Sequence, residues 1–321
     1  MRKRLALILW SWVLCVAATA QQPTLTVGTA AAVTGQTVTG FIEVSAGSDA
    51  GTNIPVAVIR GPKPGPSLAL VAGAHGTEYA SIIALEKLIL VNIASFEQKV
   101  PHVNPVDGKS MNRFYPGNPN RTQTERASWA MTKQVVEKSD YSIDLHGGDL
   151  DESLRPYSYC APTGNAQQDA VSRAMVLAFG LDTIILSADR PRDPNAARYL
   201  ETNASLRGKP SLTAEAGHAG TVEPEDVTAL INGCLNVMRY LKMLPGSAPP
   251  VQDPVLDRAH CQRHQRNHRR FLSPGQARLV RATRHENRLR HRPVRQDGVG
   301  SACAVERRGP ICLRRALDEE R

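Results

Sequence analysis

The feature that most limits the fold is an apolar run at 67–72, SLALVA, with no polar alternation, followed at once by GAHGTE at 73–78. A strand with one wet face alternates polar and apolar residues. An unbroken apolar run therefore predicts a strand buried on both faces, in a parallel or mixed sheet covered by helices. Helix-forming residues resume at 79–90, and Gly73 and Gly76 leave the backbone room to turn between the two elements.

The same alternation recurs along the chain. Residues 24–45 are rich in Val, Thr and Ile with Gly turns and read as two or three short strands, and 54–60 (IPVAVIR) reads as another, closed by the turn-rich GPKPGP. Residues 124–139 predict an amphipathic helix, 141–148 (YSIDLHGG) a strand ending in a Gly turn, and 167–180 a helix. Residues 182–188 then predict a strand, 211–217 (SLTAEAG) a strand end, and 223–244 a long helix behind Glu and Pro. Strands alternating with helices predict an α/β layered domain over 21–247, with the Pro- and Gly-rich 245–254 as its boundary. The stretch 88–96 (LILVNIASF) follows Lys87 almost without a loop, so a helix end and a strand start are fused where a turn is expected.

The two ends of the chain differ from this core. Residues 1–20 open with Arg2, Lys3 and Arg4, continue apolar and end Ala18-Thr19-Ala20, the pattern of a secretory signal peptide. Its apolar stretch falls short of the roughly 20 residues a membrane span needs, so an uncleaved anchor is the less favoured reading. Leu14 before Cys15 argues against a lipoprotein. A periplasmic or secreted protein without a stable membrane anchor is expected. The cysteine spacing matches neither a disulfide framework nor a zinc finger.

Charge is balanced over 1–251, with 22 basic and 22 acidic residues, while 252–321 hold 17 Arg, no Lys and 8 acids, so the net charge of +9 lies in this segment. Residues 248–321 read either as a disordered basic tail suited to an acidic partner or as the product of a reading-frame shift near 255. Arg without Lys favours the second, because selection for phosphate contacts uses both cations. Export also argues against nucleic acid as a partner.

Four motifs carry candidate chemistry. His75 and Glu78 sit where a strand hands over to a helix, the end of an open α/β sheet where ligands bind. A lone H-x-x-E is a weak signal, but His146 closes a second strand in the same way. Two histidines and a carboxylate make a three-ligand zinc site with a position left open, as catalysis requires. They equally suit strand-end caps held by hydrogen bonds. A period of two puts Asp144 on the same face as His146, where it could orient a ligating imidazole from behind. Glu215 follows an apolar run among small residues. It reads as a surface turn carboxylate or, beside an open metal position, as general base and then general acid. Asn112 and Arg113 lie in a turn-rich loop (NPVDGKSMNRFYPG, 104–117). Arg suits a bidentate grip on a substrate carboxylate and Asn adds a neutral donor, unless the loop is merely a solvated turn.

In this order GAHGTE, NPVDGKSMNRFYPG, DLHGG and AEAG resemble the succinylglutamate desuccinylase and aspartoacylase family of zinc carboxypeptidase-like hydrolases, over roughly residues 54–244. The resemblance implies a mixed, mostly parallel central sheet flanked by helices and one Zn2+ per chain on His75, Glu78 and His146. It also implies Asn112 and Arg113 as binders of the substrate carboxylate, Glu215 as catalytic acid/base, and hydrolysis of an amide linking an acyl group to an amino acid. Family members usually add a C-terminal β-rich module, and the Arg-rich tail stands in its place here. The implied partner is a small molecule or short peptide with a free carboxylate. A zinc carboxypeptidase or cell-wall peptide amidase is the nearest rival on the same residues, a non-catalytic zinc-binding relic the rival of another class, and a nucleic-acid binder acting through the tail a third. The sequence leaves the number of subunits open.

Overall fold

The computed structural model describes residues 24–89, 103–150, 152–186, 191–257 and 278–279. The expected signal peptide, most of the fused junction after Lys87 and nearly all of the Arg-rich segment lie outside the described residues.

The chain opens with two antiparallel pairs, β1 (Leu25–Val27) with β2 (Ala30–Ala32), and β3 (Thr37–Val44) with β4 (Thr52–Ile59). The central sheet contains β5 (Leu68–Ala72), β6 (Tyr141–His146), β7 (Tyr157–Cys160), β8 (Thr183–Leu186), β9 (Ser211–Glu215), β10 (Val255–Asp257) and β11 (Arg278–Leu279), in the order β11-β10-β8-β7-β9-β6-β5. Every pairing is parallel except β7 with β9. This is the mixed, mostly parallel sheet that the alternation of strands and helices predicts.

Two layers cover it. On one face α1 (Tyr79–Ile89) packs over β5 and β6, α3 (Ala166–Phe179) over β7 and β9, and α5 (Pro224–Tyr240) against both helices. Their core includes Ala84, Met175, Leu230, Val237 and the strand residues Ile143, Leu145, Leu212 and Ala214. The helix ends follow from local chemistry. The Asn165 side chain accepts hydrogen bonds from the N–H groups of Gln167 and Gln168, and α3 stops at Gly180, whose φ of 95° suits glycine. Pro224, Glu225 and Asp226 begin α5 and Arg239 lies in its last turn, in keeping with the helix dipole.

A second core lies with α2 (Gln123–Met131) and α4 (Leu200–Ser205), built from Ile42, Val44, Tyr115, Met131, Val136, Leu200 and Ala204. The predicted amphipathic helix at 124–139 is α2 running into a π-helical turn, Thr132–Val136. Its polar face is buried rather than solvated, because those side chains pin the 45–51 loop. Arg126 donates to the Ser45 and Ala50 carbonyls and pairs with Asp49 at 2.8 Å, and Gln123 Nε2 donates to the Ala50 and Gly51 carbonyls.

Three features depart from the sequence expectation. All five residues of β5 are half-buried, because among the described residues β5 is the sheet edge and lacks a second neighbour. Residues 157–160 form a strand that the sequence analysis does not register. The sheet also runs past the expected boundary at 247, since β10 pairs with β8 and buries Leu256 in the first core. Cys160 and Cys234 are buried thiols that form no disulfide among the described residues.

Candidate active site

Parallel pairing of β5, β6 and β9 brings their carboxyl ends side by side. Asp144 on β6 is opposite Val71 on β5, and His146 is opposite Glu215 on β9. After β5 the chain turns at Gly73, with φ of 80°, and delivers His75 and then Glu78, the residue before α1. A side chain at 147 or 148 would be obstructed: a Cβ on Gly147 would sit 2.9 Å from the Ala216 carbonyl oxygen, and one on Gly148 2.6 Å from that of Gly217. The two glycines after His146 therefore let the chain ends following β6 and β9 touch.

Glu78 is 3% exposed and bridges the two histidines. Its Oε1 lies 2.5 Å from His75 Nδ1 and its Oε2 lies 2.9 Å from His146 Nδ1, and Oε2 also accepts the Gly147 N–H at 3.2 Å. Burial alone would raise its pKa, but the two imidazoles outweigh that and hold the carboxyl at about 2. Behind these contacts, His75 Nε2 is 3.2 Å from Ser110 Oγ, while His146 Nε2 is 3.1 Å from Asp144 Oδ2 and 3.0 Å from Asn112 Nδ2. The His146 pKa is raised well above its ordinary value: burial opposes this, and the charges of Asp144 and Glu78 prevail.

One ligand atom each from His75, Glu78 and His146 lies within 4.8 Å of the others. This donor set fits a divalent metal, and two imidazoles with one carboxylate is a zinc-type combination. An independent observation agrees. Oδ1 of Asp144 is buried without a hydrogen-bond partner while Oδ2 faces His146, so with Glu78 the site holds two buried carboxylates that a divalent cation would balance. Asp144 stands behind Nε2, which leaves Nδ1 of His146 facing Glu78 and a metal.

Glu215 is half-buried beside this cluster, and its carboxyl is pushed up to about 7. Burial is the main cause, aided by the negative charges of Glu78 and Glu152 and opposed by His146 and by a hydrogen bond from Tyr157. A carboxyl poised near neutrality can both take and return a proton.

Asn112 and Arg113 reach the same place on a short 3-10 turn, Met111–Arg113. Asn112 is buried, and its Oδ1 accepts the Leu200 N–H at 3.0 Å while its Nδ2 faces His146, so this amide is partly committed to holding the site. Arg113 is exposed, is braced by a bond from Nη1 to the Asn112 carbonyl and lies 4.8 Å over the Tyr199 ring. All seven residues singled out in the sequence therefore gather at one end of the sheet. Ser110, Tyr157 and Tyr199 join them unannounced. For Tyr157 a signal existed, an aromatic-rich YSYC between two prolines, which suits a short strand.

This sheet, with a His-x-x-Glu and a distant His at the strand ends, defines an α/β domain with a candidate metal site at the carboxyl ends of its strands. The chain belongs to the succinylglutamate desuccinylase/aspartoacylase family: residues 64–241 match the profile of the Succinylglutamate desuccinylase/Aspartoacylase catalytic domain. It is 27% identical over 236 residues to an N-alpha-acetyl-L-2,4-diaminobutyric acid deacetylase of Halomonas elongata, covering 68% of each chain. Its fold is shared with the succinylglutamate desuccinylase/aspartoacylase from Rhodobacter sphaeroides, at a TM-score of 0.58 and 22% identity over 67% of this chain and 69% of the other. It is shared also with the product-bound ectoine utilization protein EutE (DoeB) from Ruegeria pomeroyi, at a TM-score of 0.59 and 21% identity over 68% and 71%.

Proposed function

We propose that this protein is an exported zinc-dependent amidohydrolase that removes an acyl group from an amino acid or similar carboxylate-bearing amine, in the periplasm or outside the cell. The observation that carries the reading is the convergence of the His75, Glu78 and His146 ligand atoms within 4.8 Å, with Glu215 alongside. The deacetylase relative supports the reaction class.

Zinc held by His75, Glu78 and His146, one per chain, would supply Lewis acidity toward the scissile carbonyl and toward water. Glu215 accepts the proton of the attacking water and returns it to the leaving amine, so the carboxylate ends each turnover as it began. Arg113, braced from behind by its bond to the Asn112 carbonyl, grips the substrate carboxylate, and the remaining donor capacity of Asn112 Nδ2 assists. Holding that carboxylate at a fixed distance from Glu215 contributes through orientation. Asp144 fixes the His146 ring.

The test is zinc content and turnover of the full-length protein against N-acetyl and N-succinyl amino acids and short peptides, with Glu215→Gln in parallel. About one zinc per chain in both proteins, with turnover of acylated amino acids reduced to a small residual rate in the variant, is expected. Failure of the purified chain to take up zinc overturns the reading. Preference for peptides moves it to the carboxypeptidase-like alternative.

A further inference from the structure

His146, Glu215 and Tyr157 are directly opposed in register across the adjacent strands β6, β9 and β7. Directly opposed residues point their side chains to the same face, so the three form one row across the sheet. The row exists because β7 alone runs against β9. Reversal of that strand puts its first residue, Tyr157, at the carboxyl end of β9; a parallel strand there would present its last residue instead. The half-buried Tyr157 hydroxyl donates a hydrogen bond to the Glu215 carboxylate.

We propose that Tyr157 is a positioning residue, whose hydroxyl fixes the Glu215 carboxylate so that it addresses the water and the leaving amine beside the His75, Glu78 and His146 cluster. The inference rests on the reading of Glu215 as acid/base. A glutamate at a strand end has three side-chain torsions to settle, and its neighbours Ala214 and Ala216 are too small to confine it. One directed donor on a rigid aromatic arm removes that freedom while leaving the carboxylate further lone pairs. The backbone of Tyr157 is held by the β-ladder on both sides, through pairing with Glu215 and with Thr183, which fixes where the ring starts from. Tyr157 does not touch the metal ligands in the ladder, so its loss acts on turnover and not on metal uptake.

The experiment uses the full-length, zinc-loaded protein. In Tyr157→Phe, kcat falls roughly tenfold to hundredfold, the range for a lost hydrogen bond to a charged group, while KM stays within about twofold and zinc content is unchanged. The decisive arm is the double variant. Tyr157→Phe added to Glu215→Gln lowers the residual turnover by less than about twofold, because the hydroxyl acts through Glu215. Tyr157→Gln, which keeps a donor, recovers part of the loss, and Tyr157→Leu does not; this pair decides the question if the Phe variant folds poorly. Unchanged kcat in Tyr157→Phe, or an equal loss in both backgrounds, overturns the proposal while leaving the role of Glu215 intact. Wild-type turnover in Glu215→Gln alone overturns the acid/base reading and this inference with it.

Discussion

Replacing Glu215 by Gln should stabilise the metal-free protein, and the gain should depend on pH. The carboxyl titrates at about 7 in the folded chain against an ordinary value of 4.5. The folded state thus holds its proton more tightly than the unfolded state does. The stability linked to that proton is fully present below 4.5 and is lost as pH rises through 7. Taking 7 minus 4.5 as 2.5 units at 1.36 kcal/mol each gives about 3 kcal/mol, which solvent screening of a half-buried side chain trims to about 2 kcal/mol. Gln matches the shape of Glu and still accepts from Tyr157, so it removes the charge without opening a cavity. Urea unfolding of chelator-treated wild type and variant, followed by circular dichroism, should show the variant more stable by about 2 kcal/mol at pH 8 and equal within about 0.5 kcal/mol at pH 4. An equal gain at both pH values, or none at pH 8, refutes the account of Glu215 as a carboxylate held where ionisation is costly. Zinc should narrow the gap, because a cation beside the carboxylate favours its charged form.

Glu78→Gln should do the reverse. Its folded pKa of about 2 lies below 4.5, so its ionisation contributes stability above 4.5 that is lost as pH falls through 2; metal-free protein should lose about 3 kcal/mol at pH 7, and the deficit should shrink at pH 3 in the same urea assay. The variant should also bind zinc at least tenfold more weakly in competition with a chromophoric chelator. Arg113→Lys should raise KM for a carboxylate-bearing substrate roughly tenfold with a smaller change in kcat, since Lys keeps the charge but not the bidentate fork or the stack on Tyr199. Gly233→Ala should destabilise by more than about 1 kcal/mol in thermal unfolding, because the new Cβ would lie 2.2 Å from the Phe179 ring where α5 crosses α3.

Much of the site is legible in the sequence because its residues stand at strand ends. An apolar run that stops at a histidine or an acid beside small residues announces both the element and its boundary, as in β5, β6 and β9. Period two likewise placed Asp144 behind His146, where the two are 3.1 Å apart. The burial of the polar side of α2 is not legible in the sequence, since nothing local tells a solvated Arg126 from one that pins a distant loop. The role of Asn112 was incomplete for the same reason: its partners, His146 and Leu200, lie 34 and 88 residues away.

The sequence by itself determined the α/β class, the strands that carry the candidate site residues and the chemical types of those residues, because periodicity, glycine turns and side-chain chemistry are local properties of the chain. Only the tertiary structure decided which strands are neighbours, and so that β7 enters the sheet reversed and sets Tyr157 opposite Glu215. Strand order and direction follow from the packing of α1, α3 and α5 on one face against α2 and α4 on the other, contacts between segments far apart along the chain. The pKa values of Glu78 and Glu215 are decided there as well. Both are ordinary glutamates in the sequence, and only the imidazoles around one and the burial of the other drive them to opposite sides of 4.5.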